Sequence, residues 1–445
     1  MSGQHSTKHH LMATLLATSI ALPLCAQAAV PPEVAAQLGA NLTPFGAEGS
    51  GNKSGTIPAW SPEPMSLDQV MQDQPRLAIS STNYRQHADQ LSAGMKAMFE
   101  KYPDSFKMNV YPTRRTHHMP QWIYDNTLKN ATEAILVDGG NGVDNAFGGV
   151  PFPIPQQGEE VIWNHVLRWR GLGHESDVAT YTVYPNGNIT ETSNSVVETV
   201  SYYDRSLKDN FNGMVGYYYQ ETTAPSRRSG ELLLIHEPLN QAAEPRNAWQ
   251  YIPGQRRVRR APTVAYDTPV PTANGINVYD EVYQFNGALD RYDWQLVGKQ
   301  ELYIPYNDNR FINALSEGVA PSALFPANHP NPDYKRWELH RVWVVEANLT
   351  EGQRHAYAKR RFYVDEDSWQ IVMSESYDGR GDLWKVNYAS PYYHGELPGV
   401  AVAGHIHQDL LSGNYVVDQY VHHNFTAGRS DEFYSPQNMR RQARR

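Results

Sequence analysis

From about Asp177 onward, apolar and polar residues alternate with a period of two, the pattern of half-buried strands. "DVATYTVYPNGNITETS" alternates on either side of Asn186-Gly187, which predicts a hairpin closed by a type I′ turn. "MVGYYYQETTAPSRRSGELLLIHEP" predicts a second hairpin, and "AWQYIPGQRRVRRAP" a strand pair or one bent strand. "YDEVYQFNGALDRYDWQLVGKQELYIPY" predicts two further extended segments. "RWELHRVWVVEANL", "AYAKRRFYVDEDSWQIVMSESYD" and "LWKVNYASPYY" predict a meander.

Upstream the period changes. "NYRQHADQLSAGMKAMFEKYPD" places Leu91, Met95 and Met98 at helical spacing and stops at Pro103, which predicts one helix. "FKMNVYPTRRTHHMP" reads as a strand, followed by a short helix beginning near Pro120. A glycine-rich loop then leads to "PFPIP", held extended by Pro151, Pro153 and Pro155. A further helix is predicted from about Gly158. Glu159 and Glu160 suit its positive N-terminal end, and Arg168 and Arg170 its C-terminal end. Ile162, Val166 and Trp169 form one stripe, widened by Trp163, which predicts packing against the inner face of a sheet.

Four segments follow from this pass. Residues 1–28 read as a secretory leader: "LMATLLATSIALPLC" is too short to span a membrane, and "AQA" offers cleavage after Ala28. Lipidation of Cys25 is the rival reading, but Leu24 is bulky where a lipoprotein signal needs a small residue. Residues 29–81, rich in Pro, Gly and Ser, read as an extended arm laid over the body and anchored by Phe45, Ile57 and Trp60. Residues 82–430 read as the main domain, and 431–445 as a basic, frayed tail. The fold class is α+β and β-dominated, a large curved antiparallel sheet or incomplete barrel with covering helices. An outer-membrane barrel fits poorly, because 30 prolines interrupt the strands and charges occupy both faces of several of them.

Composition bears on partners. The net charge is -9, and removing a leader whose one full charge is Lys8 makes the chain more acidic still. That argues against nucleic acid, whose binding requires a surplus of Lys and Arg. Arg256, Arg257, Arg259 and Arg260 nevertheless crowd one strand. Either they are solvent-exposed charges, or a pair of them lines a cavity and meets an anionic headgroup. His405 and His407 share a strand face and could ligate a metal, but no third ligand stands at a recognisable spacing. "DGRGD" and "VDEDSW" read as turns, and neither carries the ligand series of an EF-hand loop. No motif for a serine nucleophile, a phosphate loop or a dinucleotide is present, so the sequence predicts no catalytic residue, cofactor or metal.

"LTPFGAEGSGNKSGTIPAW", "GGVPFPIPQQGEEVIWNHVLRWRG", "YIPGQRRVRRAP" and "YDGRGDLWKV" together resemble motifs of a family of exported proteobacterial proteins of unknown function, often described as outer-membrane lipoprotein-sorting-like. The resemblance runs from about Leu38 to about Tyr420. It implies a fold similar to the Lol lipoprotein carriers and a periplasmic, outer-membrane-associated address. It also implies a lipid or other lipophilic ligand, with an inner-membrane efflux pump or an outer-membrane protein as partner. On that reading the ligand-binding residues are Trp163, Trp169, Trp249, Tyr251, Arg256, Arg257, Arg259 and Arg260. The alternatives are a metal-assisted envelope hydrolase using His405 and His407, and a non-catalytic scaffold that binds through the arm.

Overall fold

The structure is a computed structural model that describes residues 29–241, 243–261 and 266–443. The leader, with Cys25 and its cleavage site, lies outside the described residues. Four short strands come first: β1 (Leu77–Ser80), β2 (Lys107–Val110), β3 (Ile135–Val137) and β4 (Gly142–Asp144). Then come β5 (Gly173–Val183), β6 (Ile189–Thr199), β7 (Met214–Ala224), β8 (Leu232–Pro238), β9 (Asn247–Ile252) and β10 (Arg257–Arg260). The remainder are β11 (Tyr292–Pro305), β12 (Trp337–Leu349), β13 (Lys359–Asp365), β14 (Ile371–Tyr377), β15 (Leu383–His394), β16 (Gly399–Asp409) and β17 (Tyr415–Val421).

All but β3 and β4 belong to one 15-stranded sheet, ordered β1-β2-β12-β13-β14-β15-β16-β17-β5-β6-β7-β8-β9-β10, with β11 along the other edge of β12. Its strands pair antiparallel, apart from one parallel bridge between Trp337 and Val110. The end strands do not pair with each other, so the sheet is the open, β-dominated form expected from the alternation and not a closed barrel. A meander alone would give sequential order. Here β17 pairs with β5, which joins the C-terminal meander to the central hairpins.

Local chemistry explains where the elements begin and end. The loop between β5 and β6 is a three-residue turn, Pro185 to Gly187, with a left-handed Gly187 (φ 82) and not the two-residue type I′ turn, because Pro185 has no N–H with which to close a two-residue loop across Asn186-Gly187. The single helix predicted over 83–104 is two. A 3-10 segment, Tyr84–Gln90, gives way to a helix, Ala93–Lys101, because Ser92 turns extended and caps the Met95 N–H at 3.2 Å. Leu91, Met95 and Met98 are nonetheless buried. The helix predicted from about Gly158 forms over Gly158–Val166 and packs against β11 and β12, but it ends before Arg168, Trp169 and Arg170, which the pattern places in its last turn. The two segments read in 279–305 are one long strand, β11, preceded by short turns over Tyr279–Gln284.

Residues 41–61 run across the body as a strap. Phe45 and Ile57 are buried, and Trp60 packs edge-on against Phe45 at 5.5 Å. The Trp369 Nε1–H donates to the Phe45 carbonyl at 2.9 Å. Gly46 has φ 98, and a Cβ there would sit 1.9 Å from the Pro153 carbonyl oxygen, so only glycine lets the strap pass the "PFPIP" segment.

Candidate functional site

The cross-strand register decides which side chains share a face. His174, Glu198, Tyr218, Ile235 and Ala248 form one row across β5 to β9. Ser176, Val196, Gln220, Leu233, Gln250 and Arg259 form the next. Opposite this face lies the segment 270–286. Between the two is a cleft of about 1340 Å3, its open mouth included. Its apolar lining comes from Val166, Val178, Val215, Leu233, Ile235 and Phe285. Elsewhere the interior is packed: Trp163, Trp337, Trp369 and Tyr388 are among its fully or nearly fully buried side chains. The hollow is thus open under β5 to β9, while these side chains pack the interior under β11 to β15.

The charged groups of the lining are mostly paired. Arg228 meets Glu231 at 2.7 Å, and Arg246 meets Glu237 at 2.8 Å. Asp418 accepts from the Thr180 hydroxyl at 2.8 Å and the Asn277 amide at 3.2 Å. Arg170 meets Glu198 at 3.0 Å, and His174 Nε2 lies 3.2 Å from the same carboxylate. Burial works against the Glu198 charge, but Arg170 and the His174 hydrogen bond hold it down at about 2. A second hollow of about 450 Å3 adjoins the first, and Arg168, Arg170, Glu198 and Tyr283 line both.

The sequence-predicted residues fall in different places. Trp169 borders the smaller hollow, and its ring packs edge-on against Tyr203 at 5.0 Å. Trp163 is core: its Nε1–H donates to the Gly140 carbonyl at 2.9 Å, and it borders neither hollow. Trp249 and Tyr251 lie on the opposite face of the sheet, under the C-terminal helix Pro436–Gln442, where the Tyr251 hydroxyl donates to the Ala443 carbonyl at 3.3 Å. The tail is therefore turned over 431–435 and helical over Pro436–Gln442, and it covers that face. Arg256 occupies the left-handed turn (φ 51) before β10. Arg257, Arg259 and Arg260 stand exposed on β10, the edge of the sheet. Of the four, only Arg259 is the register partner of a cleft residue, Gln250. Alternation separates the two faces of a strand but does not say which one borders the cleft; Trp249 and Tyr251 lie on the face away from it. Arg168, Arg170, Glu198 and Tyr283 were not singled out as ligand contacts. The one local signal was the pair of arginines beyond a helix end.

His405 and His407 both point inward and are fully buried, which pushes each imidazole down. Gln284 lies 3.5 Å from His405 Nδ1, and neither ring joins a group with metal-ligand spacing among the described residues. The trio that has such spacing is His340, Asp365 and Asp367. There Arg115 holds both Asp367 oxygens, at 2.6 and 2.9 Å, and His340 Nε2 bonds Glu338 at 3.1 Å. The neighbouring Glu366 accepts from the Glu48 N–H at 3.2 Å, and Arg341 donates to the Ser50 carbonyl at 3.1 Å. This cluster fastens the strap.

Comparison with known proteins gives a family. The model of a protein family of unknown function, DUF1329, matches residues 78–440. An uncharacterized protein of Pseudomonas aeruginosa is 42% identical over 456 residues, covering 97% of each chain. Among solved structures, a DUF1329 family protein from Desulfovibrio piger is similar over 60% of this chain and 92% of its own, at 13% identity and a TM-score of 0.42. A putative outer membrane lipoprotein-sorting protein domain from Vibrio parahaemolyticus is similar over 63% of this chain and 97% of its own, at 12% identity and a TM-score of 0.42. A LolA superfamily protein from Nitrosomonas europaea is similar over 64% of this chain and 99% of its own, at 13% identity and a TM-score of 0.39. With a matched segment that spans β1 to the C-terminal helix and a relative alike over almost its whole length, this chain belongs to the DUF1329 family.

Proposed function

We propose that the protein is a non-catalytic binding or transport protein of the bacterial envelope that carries a lipophilic molecule in the cleft under β5 to β9. The observation that carries this reading is the cleft itself. A cleft lined by apolar side chains together with paired charges is left open beside a large packed core. Each 100 Å2 of apolar surface that a ligand buried there would contribute about 2.5 kcal/mol. The exported address is supported by the leader pattern over residues 1–28. No helix among the described residues is long and apolar enough to cross a membrane.

Fluorescence of N-phenyl-1-naphthylamine, which rises when the dye leaves water, tests this on the purified full chain. Leu233 is half-buried and faces the cleft. Leu233→Trp is expected to fill the space and weaken dye binding by about tenfold, with the melting temperature little changed. Wild-type protein that leaves the dye dark, or a variant that binds as well as wild type, would contradict the reading.

A further inference from the structure

The helix Gly158–Val166 ends short of Arg168 and Arg170, and both side chains reach the junction of the two hollows. They flank one ring. The Arg168 guanidinium lies 5.4 Å from the centroid of Tyr283, and that of Arg170 lies 5.0 Å from it. Tyr283 is held there in the left-handed region, with φ 57, and Gln284 follows with φ 75. Non-glycine residues adopt this conformation seldom, and when they do the surroundings enforce it. Here Arg360 donates to Asp280 at 3.0 Å, and the Tyr357 hydroxyl to Glu281 at 3.0 Å, so the turn carrying Tyr283 is pinned.

The charges at this junction do not balance. Among the described residues Glu198 is the one carboxylate in ion-pair contact with either arginine, and Arg170 and His174 take it; Glu237 acts on Arg170 from farther off and is itself paired with Arg246. The Tyr283 hydroxyl also lies 3.4 Å from Glu198. Arg168 is only 6% exposed and donates to the His165 carbonyl at 2.8 Å. It forms no ion pair among the described residues. The Arg170 Nε–H is also buried without a partner. Burial, and then the adjacent Arg170, push the Arg168 guanidinium down to about 9. A buried cation without a counter-charge is costly, so the site favours an incoming anion.

We propose that the cleft binds its ligand by an acidic head, an oxyanion set between Arg168 and Arg170 beside Tyr283, with the apolar tail in the larger hollow. This rests on the carrier reading and narrows it: the ligand is a lipophilic acid, either a fatty carboxylate or a lipid phosphate. The planar donor forks of two arginines suit both heads. The exposed arginines of β10 stand outside this site and are not needed by it.

Calorimetric titration of the delipidated full chain with dodecanoate, dodecyl phosphate and dodecanol, each below its micellar concentration, tests the proposal. At least one acid is expected to bind about tenfold or more tightly than the alcohol. Whichever acid binds better identifies the head. Arg168→Gln is expected to bring that acid to within about threefold of dodecanol, the two compared on the same variant protein, while Arg168→Lys keeps part of the preference. Dodecanol matching both acids on wild-type protein overturns the acidic site and leaves carriage standing, and this comparison does not depend on any variant folding. A preference undiminished in a folded Arg168→Gln overturns it equally. If none of the three binds, the acidic site falls, and if N-phenyl-1-naphthylamine fails as well, the carrier reading falls with it.

Discussion

Two neighbouring carboxylates under the strap have opposite fates. Asp367 stays charged because Arg115 grips both of its oxygens, although burial opposes it. Asp365 has no such grip. Burial, and then the Asp367 charge, push it from 3.8 to about 6, while His340 and the Ser368 hydrogen bonds pull the other way. A carboxyl raised on folding holds its proton more tightly in the native state. Its stabilising contribution is therefore complete below pH 3.8 and is lost as the pH rises through about 6. Asp365→Asn is expected to flatten the melting temperature against pH across that window and to gain on the order of 1 kcal/mol at pH 7. A slope unchanged by the substitution would contradict this. Arg115→Met leaves Asp367 buried and unpaired, and is expected to cost about 3–5 kcal/mol in denaturant melts. None of this was legible in "VDEDSW", which by itself reads only as a turn. The burial comes from a strap more than 300 residues earlier, whose Glu48 N–H donates to the Glu366 carboxylate.

The elements that alternation or helical spacing could define were read well. The hairpins β5–β6 and β7–β8 and the helix Gly158–Val166 fall where the pattern puts them, because each buries one face against one neighbour. The misreadings have specific causes. "YDEVYQ" alternates like a strand, yet Asp280, Glu281 and Gln284 are satisfied by Arg360, Tyr357 and Ser374, partners too distant in sequence for any local pattern to announce. Ser92 offers its hydroxyl as a cap and divides what spacing alone would join. The strap makes the clearest prediction at this scale. Phe45 is fully buried and is held by Trp60, Tyr124 and the Trp369 hydrogen bond to its carbonyl. Phe45→Ala is expected to destabilise the chain by about 3–5 kcal/mol, read from urea melts. A loss under about 1 kcal/mol would mean that the strap is not seated as described.

At the scale of the molecule, one open sheet serves two purposes. Under β11 to β15 it closes on a packed core; under β5 to β9 it is held off the segment 270–286, and a cleft remains. The sequence carried the class of this architecture but not the cleft, since which half is filled depends on the pairing of β17 with β5 and on what the C-terminal helix covers. The arginines that attracted notice, Arg256 to Arg260, belong to a sheet edge, where exposed charge discourages pairing with another chain. The two that face the cleft looked like ordinary helix-end charges until Glu198 and Tyr283 were brought beside them. The account as a whole stands or falls on whether the cleft carries a lipophile in its own setting. Protein isolated under mild conditions from its native envelope, extracted with organic solvent and examined by mass spectrometry, answers this most directly. The account predicts close to one equivalent of an acidic lipophile, depleted in Leu233→Trp. Protein that emerges repeatedly free of lipophile, or equally loaded when the cleft is filled, would contradict it.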